Sequence, residues 1–216
     1  RLSNQDLSKK NWSFMRSGTL SIAGVSCLAL RVSFTGDLGW EIYCDTNKQE
    51  VVYEALVQEA VNEQGGPVGS RALMSLRIEK GYGSWSREYS PEIWPHECGL
   101  EKLCKLDKEF LNKAALSENI KNAPRENLVL IHLNEDDCKV SNADATGGEP
   151  IFRNGKGLGR VTSGAYGYSV GMSLALGYVK DVVPGDCVDV MVLGQPHRGK
   201  ILKAPPFDPE GKILRS

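Results

Sequence analysis

The chain has 216 residues, of which 41% are hydrophobic and 25% charged, and its formal net charge at pH 7 is -1. This composition is typical of a globular protein with one domain or two small ones. The balanced charge offers no basic surface to a phosphate backbone, which argues against nucleic-acid binding. The longest apolar run, VSCLAL at 25–30, is too short to cross a bilayer.

The six cysteines are scattered and form no CxxC pair. A chain of this size does not need disulfides, so we expect reduced and mostly buried thiols in an intracellular protein. HEC at 96–98 with the next cysteine fits no common zinc pattern, and nothing marks one thiol as a nucleophile. We therefore expect neither a metal site nor cysteine catalysis. The cysteines are Cys27, Cys44, Cys98, Cys104, Cys138 and Cys187.

The first predicted element is a β-hairpin over residues 20–44. Apolar residues alternate with small or polar ones on both sides of TGDLG at 35–39, a segment rich in turn-forming residues. The alternation assigns Leu28 and Leu30 to one face and Ala29 and Arg31 to the other. TNKQ at 46–49 has the pattern of a capping box and predicts a helix running to about Glu63.

The second predicted helix begins after GGPVGS, with Ser70 as its cap and Gly81 as its end. An advance of 100° per residue places Ala72, Leu73 and Leu76 on one apolar arc, with Glu79 at its edge. An unpaired carboxylate in an apolar setting costs several kcal/mol or becomes protonated. The partner of this carboxylate is therefore the central question.

Two explanations for Glu79 stay open at this point. Its carboxylate can form an ion pair with Arg71, Arg77 or Lys80, or the side chain can extend to reach water. Alternatively, its two oxygens can accept a pair of parallel N–H donors from a heterocycle such as a pterin, whose ring N3–H and 2-amino group have the matching geometry.

The second half of the chain has a different composition. DKEFLNKAAL at 107–116 predicts a short amphipathic helix, and the polar segment 118–127 predicts a linker. Short apolar strands then alternate with turn signals such as Asn154-Gly155 and Pro184-Gly185, which is typical of a small barrel or sandwich. We therefore predict an α+β protein with a mixed domain at 1–116 and a β domain at 124–216.

Glycine-rich and aromatic segments give further candidate sites. NGKGLG at 154–159 lies inside a hairpin, so it lacks the strand-to-helix context of a dinucleotide fingerprint. Tyr166 and Tyr168 lie among glycines in TSGAYGYSVG, which suits either a flat ligand or a turn packed between domains. Trp85 is equally compatible with stacking on a planar ring and with a position in the core.

Four segments together resemble the aminomethyltransferase family, the fold of the glycine-cleavage T-protein. They are RVSFTGDLGWEIY (31–43), SLRIEKGYGSWSRE (75–88), ECGLEKLCKLDKEFLNKAAL (97–116) and GGEPIFRNGKGLGRVTSGAYGYSVGMSLALGYV (147–179). Within the family, the second and fourth look more like the C-terminal folate-binding part of dimethylglycine and sarcosine dehydrogenases. The resemblance implies the second half of the folate-binding fold followed by a small C-terminal β-barrel.

The resemblance also implies roles for individual residues. Glu79 matches the family glutamate that hydrogen-bonds the pterin, and Trp85 and Glu88 match positions that line the folate pocket. Phe34 stands where the family usually has tyrosine, and Asp37 where it has glutamate, so these two match better as structural positions than as ligands. Tyr166 and Tyr168 complete the candidate cofactor-binding set.

In the family, a further stretch before the matching region carries the aspartate credited with activating the folate or the amine. No counterpart precedes Arg1 in the sequence, so we expect the C-terminal segment of a longer enzyme, without catalytic residues of its own and inactive alone. The implied function is capture of the imine carbon of an N-methyl amine as 5,10-methylenetetrahydrofolate. A non-catalytic regulatory or assembly module, as in the regulatory subunit of pyruvate dehydrogenase phosphatase, is the alternative.

The implied cofactor of this segment is tetrahydrofolate, with FAD expected only in an upstream domain or subunit. The expected partners are that flavin domain, the folate and a small-molecule amine, with neither nucleic acid nor a membrane. We expect an intracellular location, cytoplasmic in a bacterium and the mitochondrial matrix in a eukaryote.

Overall fold

The computed structural model of the protein describes residues 2–133 and 143–216, so Cys138 lies outside the described residues. The chain divides into two compact units, one formed by Arg1–Met74 with Asp208–Ser216 and the other by Ser75–Phe207. The predicted domains, 1–116 and 124–216, stay a prediction, because two compact units do not define which segments fold independently.

The first unit contains a three-stranded antiparallel sheet in the order β1 (Ser17–Ile22), β2 (Val25–Leu30) and β3 (Glu41–Tyr43). The predicted pairing across TGDLG is confirmed, because Leu28 lies opposite Tyr43. The predicted extent of the first strand, up to the turn segment at 35–39, is wrong, since β2 ends at Leu30 and an irregular segment, 31–40, connects it to β3.

The face of β2 that the alternation predicts to be buried, the face of Leu28, is not the buried one. Leu28 is 50% exposed, whereas Cys27 and Ala29 are buried in the core of the unit. Arg31 is also buried, because its guanidinium donates hydrogen bonds to the carbonyls of Gly39 and Ser216 and lies over the ring of Trp40. A side chain with two carbonyl partners and an aromatic face can occupy a buried position that its charge alone would forbid.

The helix α1 (Gln49–Asn62) ends one residue before the predicted position. The predicted capping box is wrong, because a 3-10 turn over Thr46–Lys48 precedes α1 and neither element has a side-chain cap. Because of this turn, α1 begins at Gln49, whereas the capping-box pattern placed Gln49 at the third residue of the helix.

The helix α2 (Ser70–Glu79) ends two residues before Gly81, the glycine predicted to terminate it. Gly81 has a φ of 68°, its N–H donates to the carbonyl of Ile78, and the N–H of Tyr82 donates to the carbonyl of Arg77. This pair of bonds is a Schellman motif, which requires a left-handed residue at Gly81. The helix α3 (Lys113–Asn119) begins later than predicted, because Asn112 has a left-handed φ of 65° that interrupts a helix starting near 107.

The second unit contains a closed β-barrel, which decides between the barrel and the sandwich. Its strands follow the order β4-β7-β6-β5-β8-β9 around the barrel. Apolar side chains such as Ile131, Ile151 and Val190 fill the interior. Asn154 and Gly155, with φ of 51° and 75°, form the predicted turn between β5 and β6. The strands are β4 (Asn127–Leu133), β5 (Pro150–Arg153), β6 (Lys156–Gly167), β7 (Met172–Val179), β8 (Cys187–Val192) and β9 (Gln195–Ile201).

Over residues 2–133 and 143–216, no helix is both long and apolar enough to span a membrane. The same residues contain no group of three or more His, Cys, Asp or Glu side chains placed to hold a metal ion. The five described cysteines are free thiols. The expectation that most are buried is wrong, because only Cys27 is.

The carboxylate of Glu97 connects the segment before β4 to the preceding loop. It accepts hydrogen bonds from Arg125 Nε and Nη2, both at 2.8 Å, and from the backbone N–H of Trp94 at 2.9 Å. The hydrogen bonds from Arg125 outweigh burial and lower the pKa of Glu97 from 4.5 to about 2. Because the folded state favours the charged carboxylate, its stabilising contribution is present above pH 4.5 and is lost as the pH falls toward 2.

We therefore expect Glu97→Gln to lower the urea midpoint of unfolding strongly at pH 7 and much less at pH 2.5. With a pKa of about 2 the carboxylate is still largely charged in the folded protein at pH 2.5, but the unfolded chain is already protonated there, so most of the stabilising contribution is lost. Urea unfolding of both proteins at the two pH values measures this effect, and a midpoint difference that does not depend on pH would contradict it.

Candidate functional site

Glu79 lies in the last turn of α2, and its side chain is only 1% exposed. Burial in this helix increases along the axis, since Ser75, Arg77 and Ile78 are buried while the first turn is exposed. The predicted apolar arc of Ala72, Leu73 and Leu76 is therefore not the buried surface. The prediction that a carboxylate lies in a buried environment is nevertheless confirmed.

The two oxygens of the Glu79 carboxylate have different surroundings. Oε1 accepts a hydrogen bond from the backbone N–H of Ser169 at 2.9 Å. Oε2 is buried and has no hydrogen-bond partner in the part of the chain that the structure describes. A buried acceptor without a donor costs about 1–3 kcal/mol, and more for a charged group. The arrangement therefore suits a donor supplied by a ligand.

The turn after β6 brings the backbone donor to Glu79. A Cβ atom at Gly167 would lie 2.8 Å from Glu79 Cγ, so a larger residue there would displace the carboxylate. Ser75, one turn earlier in α2, donates from its hydroxyl to the carbonyl of Tyr166 at 2.5 Å. The end of α2 and the end of β6 are thus held together at two points.

The rings of Tyr166 and Tyr168 lie at this turn, and Trp85 lies in the segment after α2. The rings of Tyr166 and Tyr168 are 5.0 Å apart between centroids and inclined at 73°, an edge-to-face pair, and Tyr168 is 83% exposed. Trp85 is 74% exposed in this chain, which is not the exposure of a core residue. Exposed aromatic faces are available for contact with a planar ligand.

Glu88 differs from Glu79 because donors of the chain surround both of its oxygens. Oε2 accepts from Arg77 Nη1 at 3.0 Å and from the Ser84 backbone N–H at 2.7 Å, with the Ser84 hydroxyl at 3.3 Å. Oε1 accepts from the hydroxyls of Thr162 at 2.6 Å and Ser163 at 2.5 Å. Glu88 and Arg77 have no exposed side-chain surface. Glu88 therefore joins α2, the turn at 84–89 and strand β6.

Burial and hydrogen bonding act in opposite directions on Glu88. Burial raises its pKa, but the hydrogen bonds from Ser163 and Thr162, with the charge of Arg77, outweigh burial and lower the pKa below the ordinary value of 4.5. Burial lowers the pKa of the Arg77 guanidinium, and Glu88 opposes that shift. Of the ion pairs considered for Glu79, the one with Arg77 is not formed, because Arg77 pairs with Glu88.

The second unit thus contains five of the six predicted site residues, and Glu79 and Tyr166 lie in adjoining segments of it. Phe34 lies in the first unit, half-buried in the segment between β2 and β3. The sequence did not indicate Gly167 or Ser169 as partners of Glu79. A glycine among several glycines and a backbone N–H carry no distinctive pattern.

Replacing Glu88 with glutamine should destabilise the protein by about 3 kcal/mol, because Arg77 would remain buried without its counter-charge. Chemical denaturation measures the change. Glu118→Gln serves as a control, because Glu118 forms an exposed pair with Lys121 and such pairs contribute less than about 1 kcal/mol. Equal effects of the two substitutions would contradict the structural role of Glu88.

Two family models match the chain. Residues 1–108 match the GCVT N-terminal domain, and residues 127–208 match the glycine cleavage T-protein C-terminal barrel domain. The fold is also that of the glycine cleavage system aminomethyltransferase T from Bartonella henselae, with a TM-score of 0.80 and 23% sequence identity over 93% of this chain and 54% of that chain.

Among curated proteins, the chain is 34% identical to human mitochondrial dimethylglycine dehydrogenase, over 95% of this chain and 24% of the relative. It is 30% identical to mouse mitochondrial sarcosine dehydrogenase, over 97% of this chain and 23% of the relative. The chain therefore spans about a quarter of the length of these two dehydrogenases.

Proposed function

This chain belongs to the glycine cleavage T-protein family, and we propose that it is the tetrahydrofolate-binding, one-carbon-transfer module of a dehydrogenase that acts on N-methyl amines. The similarity to dimethylglycine and sarcosine dehydrogenases over almost the whole chain supports this class of substrate. In the proposed enzyme, FAD bound in another part of the protein would supply the oxidising chemistry. The residues of this module would hold the folate, which would carry the one-carbon unit as 5,10-methylenetetrahydrofolate.

The observation that carries the proposal is the buried Oε2 atom of Glu79 without a partner in the described chain. The pterin ring presents N3–H and a 2-amino group side by side, and a carboxylate is the acceptor that matches two parallel N–H donors. Oε1 keeps a second lone pair besides the one used by Ser169. The residues present therefore fit this cofactor.

Other residues of the chain orient and enclose the ligand in this proposal. Gly167 leaves the space that the Glu79 side chain needs. Trp85, Tyr166 and Tyr168 provide aromatic faces. Glu88 contributes by position, because it anchors Arg77, two residues before Glu79, and has no free acceptor for a ligand.

Tetrahydrofolate, when bound, supplies the nitrogen atoms that take up the one-carbon unit. This chain contributes binding and orientation, and we propose no residue of it as a proton donor or acceptor in the reaction. The names of the relatives place them in mitochondria. We propose the mitochondrial matrix for a eukaryotic source and the cytoplasm for a bacterial one.

Glu79→Gln should weaken tetrahydrofolate binding about 10-fold or more and Glu79→Ala somewhat further, because hydrogen bonds to a charged group contribute about 1.5–3 kcal/mol. Isothermal titration calorimetry on the full-length protein measures both affinities. Glu118→Gln, with its exposed side chain, is the control and should bind like the wild type.

Unchanged affinity in both Glu79 variants would contradict the pterin role of this residue. If the wild-type full-length protein shows neither binding nor a folate-dependent rise in melting temperature, the regulatory or assembly module is favoured instead.

A further inference from the structure

Cys27 lies in β2, and Cys44 is the residue that follows β3, the strand paired with β2. The register places Leu28 opposite Tyr43 and Ala29 opposite Ile42 in an antiparallel pair. The same register, continued by one residue past the end of β3, places Cys27 opposite Cys44. Directly opposed residues in an antiparallel pair have Cα atoms about 4.5 or 5.5 Å apart, and both values lie within the range of about 4.4–6.8 Å that disulfides adopt.

The two side chains also lie on the same face of the sheet. Cys27 and Ala29 are buried in the core of the first unit, and Ile42 and Cys44 pack against that core. Side chains alternate between the faces of a sheet and directly paired residues share a face, so residues 27 and 29 lie on the same face as residues 42 and 44. Both cysteines are free thiols, with Cys27 buried and Cys44 half-buried.

We propose that Cys27 and Cys44 form a reversible disulfide when the protein meets a peroxide. This site is independent of the proposed folate function, since it rests only on the sheet register and the shared core. The other described cysteines, Cys98, Cys104 and Cys187, belong to the second unit.

The exposure of the two thiols indicates which of them reacts first with peroxide. The half-buried Cys44 thiol loses its proton, and the thiolate sulfur attacks a peroxide oxygen, so that the O–O bond breaks and a sulfenic acid forms. The hydroxide that leaves takes up the proton lost by the thiol and becomes the first water. The Cys27 sulfur then attacks the Cys44 sulfur, the S–O bond breaks, and the departing hydroxide takes the Cys27 proton as a second water. Two thiols and one hydrogen peroxide thus give one disulfide and two waters, with two electrons transferred to the peroxide.

Burial and the neighbouring Cys44 raise the pKa of Cys27. This shift agrees with Cys27 acting second, because a thiol with a raised pKa has a small thiolate fraction and reacts slowly with peroxide from solvent. Its position beside Cys44 offsets that low reactivity by proximity.

The disulfide would close the chain between Cys27 and Cys44, which includes the irregular segment 31–40 and Phe34. A covalent link across the ends of a segment reduces its conformational freedom. Oxidation should therefore slow hydrogen–deuterium exchange in residues 31–40, and a thiol reductant should restore the original rate.

The test treats the full-length protein with hydrogen peroxide, labels the remaining thiols with N-ethylmaleimide, and maps peptides by mass spectrometry without reduction. A peptide pair linked through Cys27 and Cys44 is expected in the wild type and in Cys187→Ser, whose changed residue is exposed. The link should disappear on treatment with dithiothreitol, and it should be absent in Cys44→Ser and Cys27→Ser.

Maleimide on both Cys27 and Cys44 after oxidation would overturn the proposal. A sulfinic or sulfonic acid on Cys44 without the linked peptide would overturn it as well, because oxidation would then have occurred without a resolving thiol. If Cys27→Ser does not fold, Cys44→Ser alone decides the assignment, since its half-buried side chain tolerates a hydroxyl.

Discussion

The buried ion pair of Arg77 and Glu88 is the interaction on which the candidate site depends. Neither charge has contact with solvent, so each needs partners within the protein. Glu88 obtains them from three separate segments, namely α2, the turn at Ser84, and strand β6 through Thr162 and Ser163. The requirement to satisfy one carboxylate therefore fixes the end of a helix against a wall of the barrel.

The position of Glu79 follows from that anchor. It lies two residues after Arg77 and two before Gly81, where the Schellman motif ends the helix. Ser75 adds a second attachment through the carbonyl of Tyr166. With the backbone held on both sides and Gly167 packed against the side chain, the carboxylate has little freedom to turn toward solvent. A ligand bound by it would therefore incur little additional ordering cost.

Local features of the fold were predictable where a single residue determines the backbone. Gly81 ends α2, and Asn154-Gly155 forms the turn of a hairpin, because these positions need a left-handed backbone that few residues adopt. The buried face of β2 was not predictable from alternation. Arg31 occupies that face only because the carbonyls of Gly39 and Ser216 accept its hydrogen bonds. The local sequence around Arg31 cannot indicate a partner as distant as Ser216.

The same limit applies to the two buried glutamates, which periodicity cannot tell apart. Five donor atoms of the chain surround the Glu88 carboxylate. Three belong to Arg77 and Ser84, and two belong to a strand more than seventy residues later. Glu79 has one donor, from Ser169, and an oxygen left without a partner in the described chain. The satisfied carboxylate of Glu88 has a structural role, and we propose that the unpartnered oxygen of Glu79 is the one that faces a ligand.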